Sequence, residues 1–219
     1  MNGFLLVIHI LGGTIALVSL VPVLVTSWGT GTRVTRRHAL FGRLYAWSMV
    51  VALAAAYILA VRSSSTFLGA IAAFTTYLVA SGWRWIRPKV ERTLILGRGF
   101  AIAMIIAAIL MVIAGARQLG GGDQLGVVLF VFAGIGSALA IQDLIMLRSS
   151  KPPRFQRVAL HLGRMLGAAI ATLTAVLVTN VSFEPEWLVW TLPSMVFAPM
   201  IAVRSTLVLS RALATNSQP

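Results

Sequence analysis

The chain has 219 residues, of which 58% are hydrophobic and only 11% are charged, and its formal net charge is +13. Soluble domains usually carry about 25% charged residues, so this composition excludes a water-facing surface and indicates a protein embedded in lipid. The basic residues stand in short clusters between apolar runs, which argues against nucleic acid as a partner. The chain has no cysteine, which excludes disulfides, iron–sulfur clusters and thiolate chemistry.

A membrane-spanning helix needs about 20 mostly apolar residues. Seven segments qualify: Phe4–Ser27, Leu40–Val61, Phe67–Gly82, Leu96–Ala116, Leu125–Leu147, Leu160–Ser182 and Trp187–Leu209. The first lacks the basic start and cleavage site of a signal peptide, so we expect it to be retained. The sequence therefore predicts an all-α integral membrane bundle of seven transmembrane helices. We expect one domain over residues 1–219, made of three helical hairpins and a closing seventh helix.

Lysine and arginine residues fall almost entirely on one side of the predicted helices. Sixteen lie on that side, whereas only Arg62 and Arg117 lie on the other. Because cytoplasmic segments of membrane proteins carry an excess of Lys and Arg, this alternation predicts an outside N-terminus and a cytoplasmic C-terminus. The expected location is the bacterial inner membrane, which the chain crosses several times.

Tryptophans cluster at the ends of the predicted helices. Trp28, Trp83 and Trp85 fall at the cytoplasmic ends, and Trp187 and Trp190 fall at the outer end of the last helix. An amphipathic indole ring prefers the boundary between lipid and water. The tryptophan positions therefore agree with the predicted helix ends and orientation.

A Gly-Arg pair opens each even-numbered helix. The three pairs are Gly42-Arg43, Gly97-Arg98 and Gly163-Arg164. Each glycine is expected to let a neighbouring backbone approach, and each arginine to enter the helix interface about a turn inside the membrane boundary. The arginines could simply anchor their helices to lipid phosphates. Alternatively they converge on one cytoplasmic-facing pocket for an anion, because the planar guanidinium suits phosphate or carboxylate.

Asp143 is an isolated acid in the otherwise apolar fifth helix. A buried carboxylate is costly unless it is paired, so a basic partner should lie close to it. The arginines of the Gly-Arg pairs are the natural partners because they lie at a similar depth. Asp143 then forms a structural ion pair, or it carries a proton or faces a ligand.

The three histidines differ in depth. His38 and His161 begin the second and sixth helices on the cytoplasmic side, where they are candidates for the same site. If they faced each other they could ligate a haem iron, although His38 follows two arginines in the headgroup region. His9 lies in the first helix near the outer face. It is either packed and hydrogen-bonded across helices or part of a proton relay.

Three segments carry a resemblance to a known family. They read His9-Ile10-Leu11-Gly12-Gly13, His38-Ala39-Leu40-Phe41-Gly42-Arg43 and His161-Leu162-Gly163-Arg164-Met165. Together they resemble an uncharacterised family of bacterial polytopic inner-membrane proteins, a domain of unknown function. The resemblance supplies no reaction, but it implies that the positions to test are His9, His38, His161, Arg43, Arg164 and Asp143. A weaker likeness to b-type cytochrome bundles rests on helix number and histidines.

The leading hypothesis is an inner-membrane protein that binds or translocates a small anionic molecule or a lipid headgroup. The predicted ligand-binding residues are Arg43, Arg98, Arg164, Asp143, His38 and His161. One alternative is a redox protein linked to haem b or quinone, and another is a non-catalytic structural subunit of a membrane complex. The sequence lacks P-loop, HExxH, Gly-x-Ser-x-Gly and paired-carboxylate motifs, which favours a protein that is not an enzyme. Membrane lipids are the expected partners, and no metal site is predicted.

Overall fold

The structure is a computed structural model that describes residues 2–27, 35–87, 91–148 and 153–216. Over these residues the chain forms seven α-helices: α1 (Asn2–Ser27), α2 (Arg36–Arg62), α3 (Thr66–Trp85), α4 (Glu91–Gly120), α5 (Gly126–Arg148), α6 (Arg154–Asn180) and α7 (Glu186–Asn216). All seven are long and apolar enough to cross a membrane. The described residues contain no β-strand. The predicted all-helical fold with seven candidate spans is confirmed for this part of the chain.

Most helices extend beyond the apolar segments that predicted them. α4 begins at Glu91, five residues before the predicted start, and α7 continues to Asn216 instead of ending at Leu209. α6 begins early, at Arg154, but ends at Asn180, two residues before its predicted end. Hydropathy marks only the stretch that suits lipid, whereas backbone hydrogen bonding continues into polar sequence until a helix-ending signal occurs.

Contacts between residues divide the chain into two compact units, Met1–Thr76 and Tyr77–Pro219. The division falls inside α3, so the first half of this helix belongs to one unit and its second half to the other. The single membrane domain over residues 1–219 stays a prediction.

In the first unit, α1 packs closely against α2 through small residues. A Cβ atom on Gly12 would lie 3.1 Å from both the Ala52 backbone nitrogen and the Ser48 carbonyl oxygen, so the two helix backbones nearly touch there. Small residues on three turns of α2 are buried, namely Ser48, Ala52 and Ala60. Residues this small allow close approach of helices in lipid, where dispersion and hydrogen bonding replace the hydrophobic effect as the driving force.

In the second unit, α4 and α5 form a tight hairpin. A Cβ atom on Gly126 would lie 2.5 Å from the carbonyl oxygen of Gly115, which shows how closely the two backbones pass. The almost completely buried side chains in the core of this unit include Met104 and Met111 of α4 and Leu129 of α5. The second half of α3 and helix α6 also belong to this unit, and their shared contacts position the site described next.

Candidate functional site

The carboxylate of Asp143 is the centre of a buried polar cluster in the second unit. It lies on α5, with 1% of the residue exposed. Its Oδ1 accepts hydrogen bonds from Trp85 Nε1 at 3.0 Å and from Arg164 Nη2 at 2.7 Å. Its Oδ2 accepts one from the Tyr77 hydroxyl at 2.8 Å. Three donors from α3 and α6 therefore satisfy this carboxylate, which is the arrangement that a buried charge requires.

Arg164 is the counter-charge of Asp143, and only 2% of it is exposed. Its Nη2 also lies 2.9 Å from the Leu139 carbonyl and 3.0 Å from Gln142 Oε1, so one nitrogen reaches three acceptors on α5. The sequence predicted that Asp143 pairs with an arginine of a Gly-Arg pair, and for Arg164 this is confirmed. The Nε atom of Arg164 is buried without a hydrogen-bond partner.

Close contact between α3 and α6 brings these side chains together. A Cβ atom on Gly82 of α3 would lie 2.7 Å from Met165 Sδ and 3.0 Å from Arg164 Cβ on α6. His161 donates from Nδ1 to the Gly82 carbonyl at 2.8 Å, one turn before Arg164. Because a side chain at position 82 would clash, the glycine is what lets α6 deliver Arg164 to Asp143.

A second arginine, Arg84, lies beside this ion pair. Its Cζ atom lies 4.0 Å above the centroid of the Trp85 ring, so the cation contacts the indole that binds Asp143. Arg84 also interacts electrostatically with Asp143 and Arg164, favourably with the first and unfavourably with the second. Its Nε and Nη2 atoms are buried and have no hydrogen-bond partner. We refer to Tyr77, Arg84, Trp85, Asp143 and Arg164 as the Asp143 cluster.

Charge in the Asp143 cluster is not balanced. It contains two guanidinium groups and one carboxylate, and the carboxylate already accepts a hydrogen bond from Arg164. All five residues belong to the second unit, and Arg84, Trp85 and Asp143 lie close to the ends of α3 and α5 that carry basic residues. We call these the basic ends of the helices. One positive charge therefore remains uncompensated within the cluster.

The structure leaves two of the Gly-Arg arginines outside this cluster. Arg98, on α4 of the second unit, is exposed. Arg43 is also exposed and belongs to the first unit. Their predicted ligand-binding function stays a prediction.

The predicted purpose of the glycines in the Gly-Arg pairs, the close approach of a neighbouring backbone, is wrong for Gly42 and Gly163. Among the described residues, a Cβ atom on Gly42 or Gly163 would meet nothing within 4 Å, so no backbone approaches there. Gly97 does have a close neighbour, and the three atoms nearest to its Cβ position belong to the side chain of Arg84. Short sequence repeats at helix starts thus did not correspond to a repeated packing motif.

Each histidine donates from Nδ1 to a backbone carbonyl oxygen of another helix. His9 Nδ1 lies 2.9 Å from the Ala52 carbonyl, which agrees with the packed and hydrogen-bonded interpretation. His38 Nδ1 lies 3.3 Å from the Val23 carbonyl. His38 and His161 belong to different units, and haem ligation by this pair stays a prediction. The described residues contain no group of three or more His, Asp or Glu side chains that could hold a metal ion.

Sequence reasoning missed three members of the cluster: Tyr77, Arg84 and Trp85. Trp85 was predicted at a helix end and is the last residue of α3, but its ring is buried, with 1% of the residue exposed, and its ring nitrogen donates to Asp143. Trp28 lies outside the described residues. A usable signal existed, because a lone carboxylate in lipid needs several donors and Trp85 supplies an N–H at a similar depth.

No protein-family model, curated protein or solved structure matches the chain. The resemblance to a bacterial inner-membrane family therefore stays a prediction.

Proposed function

We propose that the chain is a multi-pass protein of a bacterial inner membrane that binds or translocates a small anionic molecule or an anionic lipid headgroup. In this proposal the N-terminus lies outside and the C-terminus in the cytoplasm, and the ligand binds at the Asp143 cluster. The resemblance to the uncharacterised inner-membrane family is compatible with this function.

The excess positive charge of the Asp143 cluster, counted among the residues that the structure describes, is the observation that carries the proposal. Asp143 is already held by Arg164, Trp85 and Tyr77, so it has little capacity left to neutralise a second cation. Arg84 as a whole is half-buried, but its Nε and Nη2 donors are removed from water, which is costly unless an acceptor replaces the water. A bound anion would supply that acceptor together with a negative charge. A purely anchoring arginine would instead direct its donors to lipid phosphates, whereas two donors of Arg84 are buried in protein.

The position of the cluster along the helices supports a ligand from the cytoplasmic side. Asp143 precedes the end of α5 at Arg148 by five residues, which is about 7.5 Å along a helix. Arg84 and Trp85 are the last two residues of α3. With the basic ends in the cytoplasm, the cluster would lie within reach of that compartment.

The proposed orientation can be tested by labelling single cysteines, because the natural chain has none. Gln124→Cys lies in the exposed turn between α4 and α5, and Ile86→Cys lies at the exposed basic end of α3. We expect a membrane-impermeant maleimide to label Gln124→Cys in intact cells and Ile86→Cys only after permeabilisation. Labelling in the opposite order would contradict the orientation.

Anion binding can be tested on the purified protein in uncharged maltoside micelles. We expect at least one of inorganic phosphate, acetate, chloride or phosphatidylglycerol to raise the unfolding temperature. At a ligand concentration of 100 times Kd the stabilisation would be about 2.7 kcal/mol. Arg84→Ala should abolish the shift, whereas Arg87→Ala, which removes an exposed charge three residues away, should keep it. If none of the four probes shifts the wild type, the proposed function fails.

A further inference from the structure

We propose that Arg84 recognises its ligand through the Nε–Nη2 edge of the guanidinium, so the ligand is an oxyanion with two oxygens on one centre. A carboxylate and a phosphate group both have this chemistry. The inference rests on the proposed function and specifies the ligand class of the same site.

The two unpartnered donors of Arg84 belong to one edge of its side chain. Nε and Nη2 are the buried atoms without a partner. In a planar guanidinium the N–H bonds of these two nitrogens point in parallel from the same edge. Two parallel donors match two oxygens of a carboxylate or phosphate and form a bidentate pair of hydrogen bonds. Two unrelated orphan donors on different side chains would not specify a ligand shape in this way.

Trp85 and Gly97 both contact the guanidinium of Arg84, and neither supplies an acceptor to its Nε–Nη2 edge. Trp85 lies against Cζ at 4.0 Å. A Cβ atom on Gly97 would lie 2.6 Å from Nε of Arg84 and 2.8 Å from each of its Cδ and Cζ atoms. A point in the guanidinium plane beyond the N–H bond would be clearly closer to Nε than to either carbon. The near-equal distances therefore place Gly97 over the face of the group.

The contacts of Trp85 and Gly97 hold the donors in one orientation before any ligand binds. Trp85 is itself fixed, because its ring nitrogen donates to Asp143 and its ring packs with Leu147 and Leu160. A guanidinium group that is already held in one orientation loses little side-chain entropy when it binds an anion, which increases the affinity. Gly97, which opens the second Gly-Arg pair, thus contributes to the site by lacking a side chain.

A spherical anion would use this edge poorly. Chloride can neutralise a charge, but it offers one acceptor centre to two parallel donors. A lysine in place of Arg84 would keep the charge and lose the two-donor edge. The charge at position 84 and the two-donor edge of its side chain can therefore be changed independently of each other.

The experiment measures binding of inorganic phosphate, acetate and chloride by calorimetry in phosphate-free maltoside micelles. For Arg84→Lys we expect phosphate or acetate to bind at least about 10-fold more weakly, a loss in the range of one charged hydrogen bond. Arg87→Lys, the matched control at the exposed position, should bind like the wild type. Chloride should bind the wild type more weakly than either oxyanion.

A parallel titration with phosphatidylglycerol distinguishes the two sources of the oxyanion. If inorganic phosphate or acetate binds, the ligand comes from solution. If only phosphatidylglycerol binds, and Arg84→Lys weakens it by a similar factor, the oxyanion is a lipid phosphate. Both results support the inference.

A second pair of variants tests the contact between Gly97 and the guanidinium face of Arg84 without changing any charge. Gly97→Ala places a methyl group on the guanidinium of Arg84, so we expect oxyanion binding to weaken about 10-fold or more. Gly99→Ala is the matched control, because a Cβ atom there would meet nothing within 4 Å.

The outcomes separate this inference from the proposed function. If Arg84→Lys binds oxyanions as tightly as the wild type, or if chloride binds as tightly as phosphate and acetate, the two-oxygen inference is overturned while an anion site remains. If none of the anions or lipids binds the wild type, both proposals are wrong. Gel filtration of Arg84→Lys and Gly97→Ala checks that each variant remains folded.

Discussion

Asp143→Ala is expected to lower the free energy of unfolding by about 3 to 5 kcal/mol, the usual result of removing one partner from a buried ion pair. The substitution leaves the guanidinium of Arg164 buried without its counter-charge. It also removes the acceptor of the Tyr77 hydroxyl and of the Trp85 ring nitrogen. Reversible unfolding in mixed micelles of maltoside and dodecyl sulfate would measure the change.

The matched control removes an exposed carboxylate from the same unit. Asp123 lies in the turn between α4 and α5 and accepts a hydrogen bond from the Leu125 backbone nitrogen. Asp123→Ala should therefore cost only about 1 kcal/mol, the usual effect of losing a local cap. Equal losses for Asp123→Ala and Asp143→Ala would show that Arg164 does not depend on Asp143.

A double substitution tests whether the cost arises from an unpaired charge. In Asp143→Leu with Arg164→Met both charges are replaced by apolar side chains, which is often neutral for a buried pair. We expect stability above that of Asp143→Ala but below that of the wild type, because Tyr77 and Trp85 still lack their acceptor. A double variant less stable than Asp143→Ala would indicate that packing, not charge, dominates the loss.

Gly126→Ala is expected to produce the second large effect, a loss of about 3 kcal/mol, at the upper end for overpacking. The new Cβ atom would lie 2.5 Å from the Gly115 carbonyl oxygen and 2.8 Å from Leu119 Cγ. The oxygen belongs to the backbone of α4 and cannot rotate away, so the two helices must separate. Thermal unfolding in maltoside micelles would measure the loss.

Gly134→Ala provides the control for this substitution on the same helix. A Cβ atom at Gly134 would meet nothing within 4 Å, so its stability should stay within about 1 kcal/mol of the wild type, the range of helix propensity alone. If the two alanine variants unfolded at the same temperature, the close approach of α4 and α5 at Gly126 would be contradicted.

The ion pair of Asp143 is the part of the site that could be predicted from the sequence. A single carboxylate in an apolar helix requires a basic partner, and this requirement alone restricted the choice to arginines at a similar depth. Arg164 is that partner. The other two candidates, Arg43 and Arg98, are exposed, and nothing in their local sequence distinguishes them from Arg164. The difference depends on which face of each helix meets a neighbour.

The glycines also show that local sequence does not predict which residues make close contacts between helices. Gly42, Gly97 and Gly163 occur in matching sequence contexts, yet only Gly97 has a close neighbour, and Gly82, outside this pattern, carries the contact between α3 and α6. A glycine reveals that close approach is allowed, not that it occurs. Helix packing decides which glycines are used, because it depends on residues distant in the sequence.

The sequence by itself determined the seven apolar helices and their approximate limits, because both depend on local composition and length. Only the tertiary structure decided that Trp85 and Tyr77 hold Asp143, that Arg164 rather than Arg98 is its counter-charge, and that Arg84 has two buried donors without an acceptor. Those facts follow from the rotation and close approach of α3, α4, α5 and α6. Such geometry arises from contacts between residues far apart in the chain, which hydropathy and motif spacing do not encode.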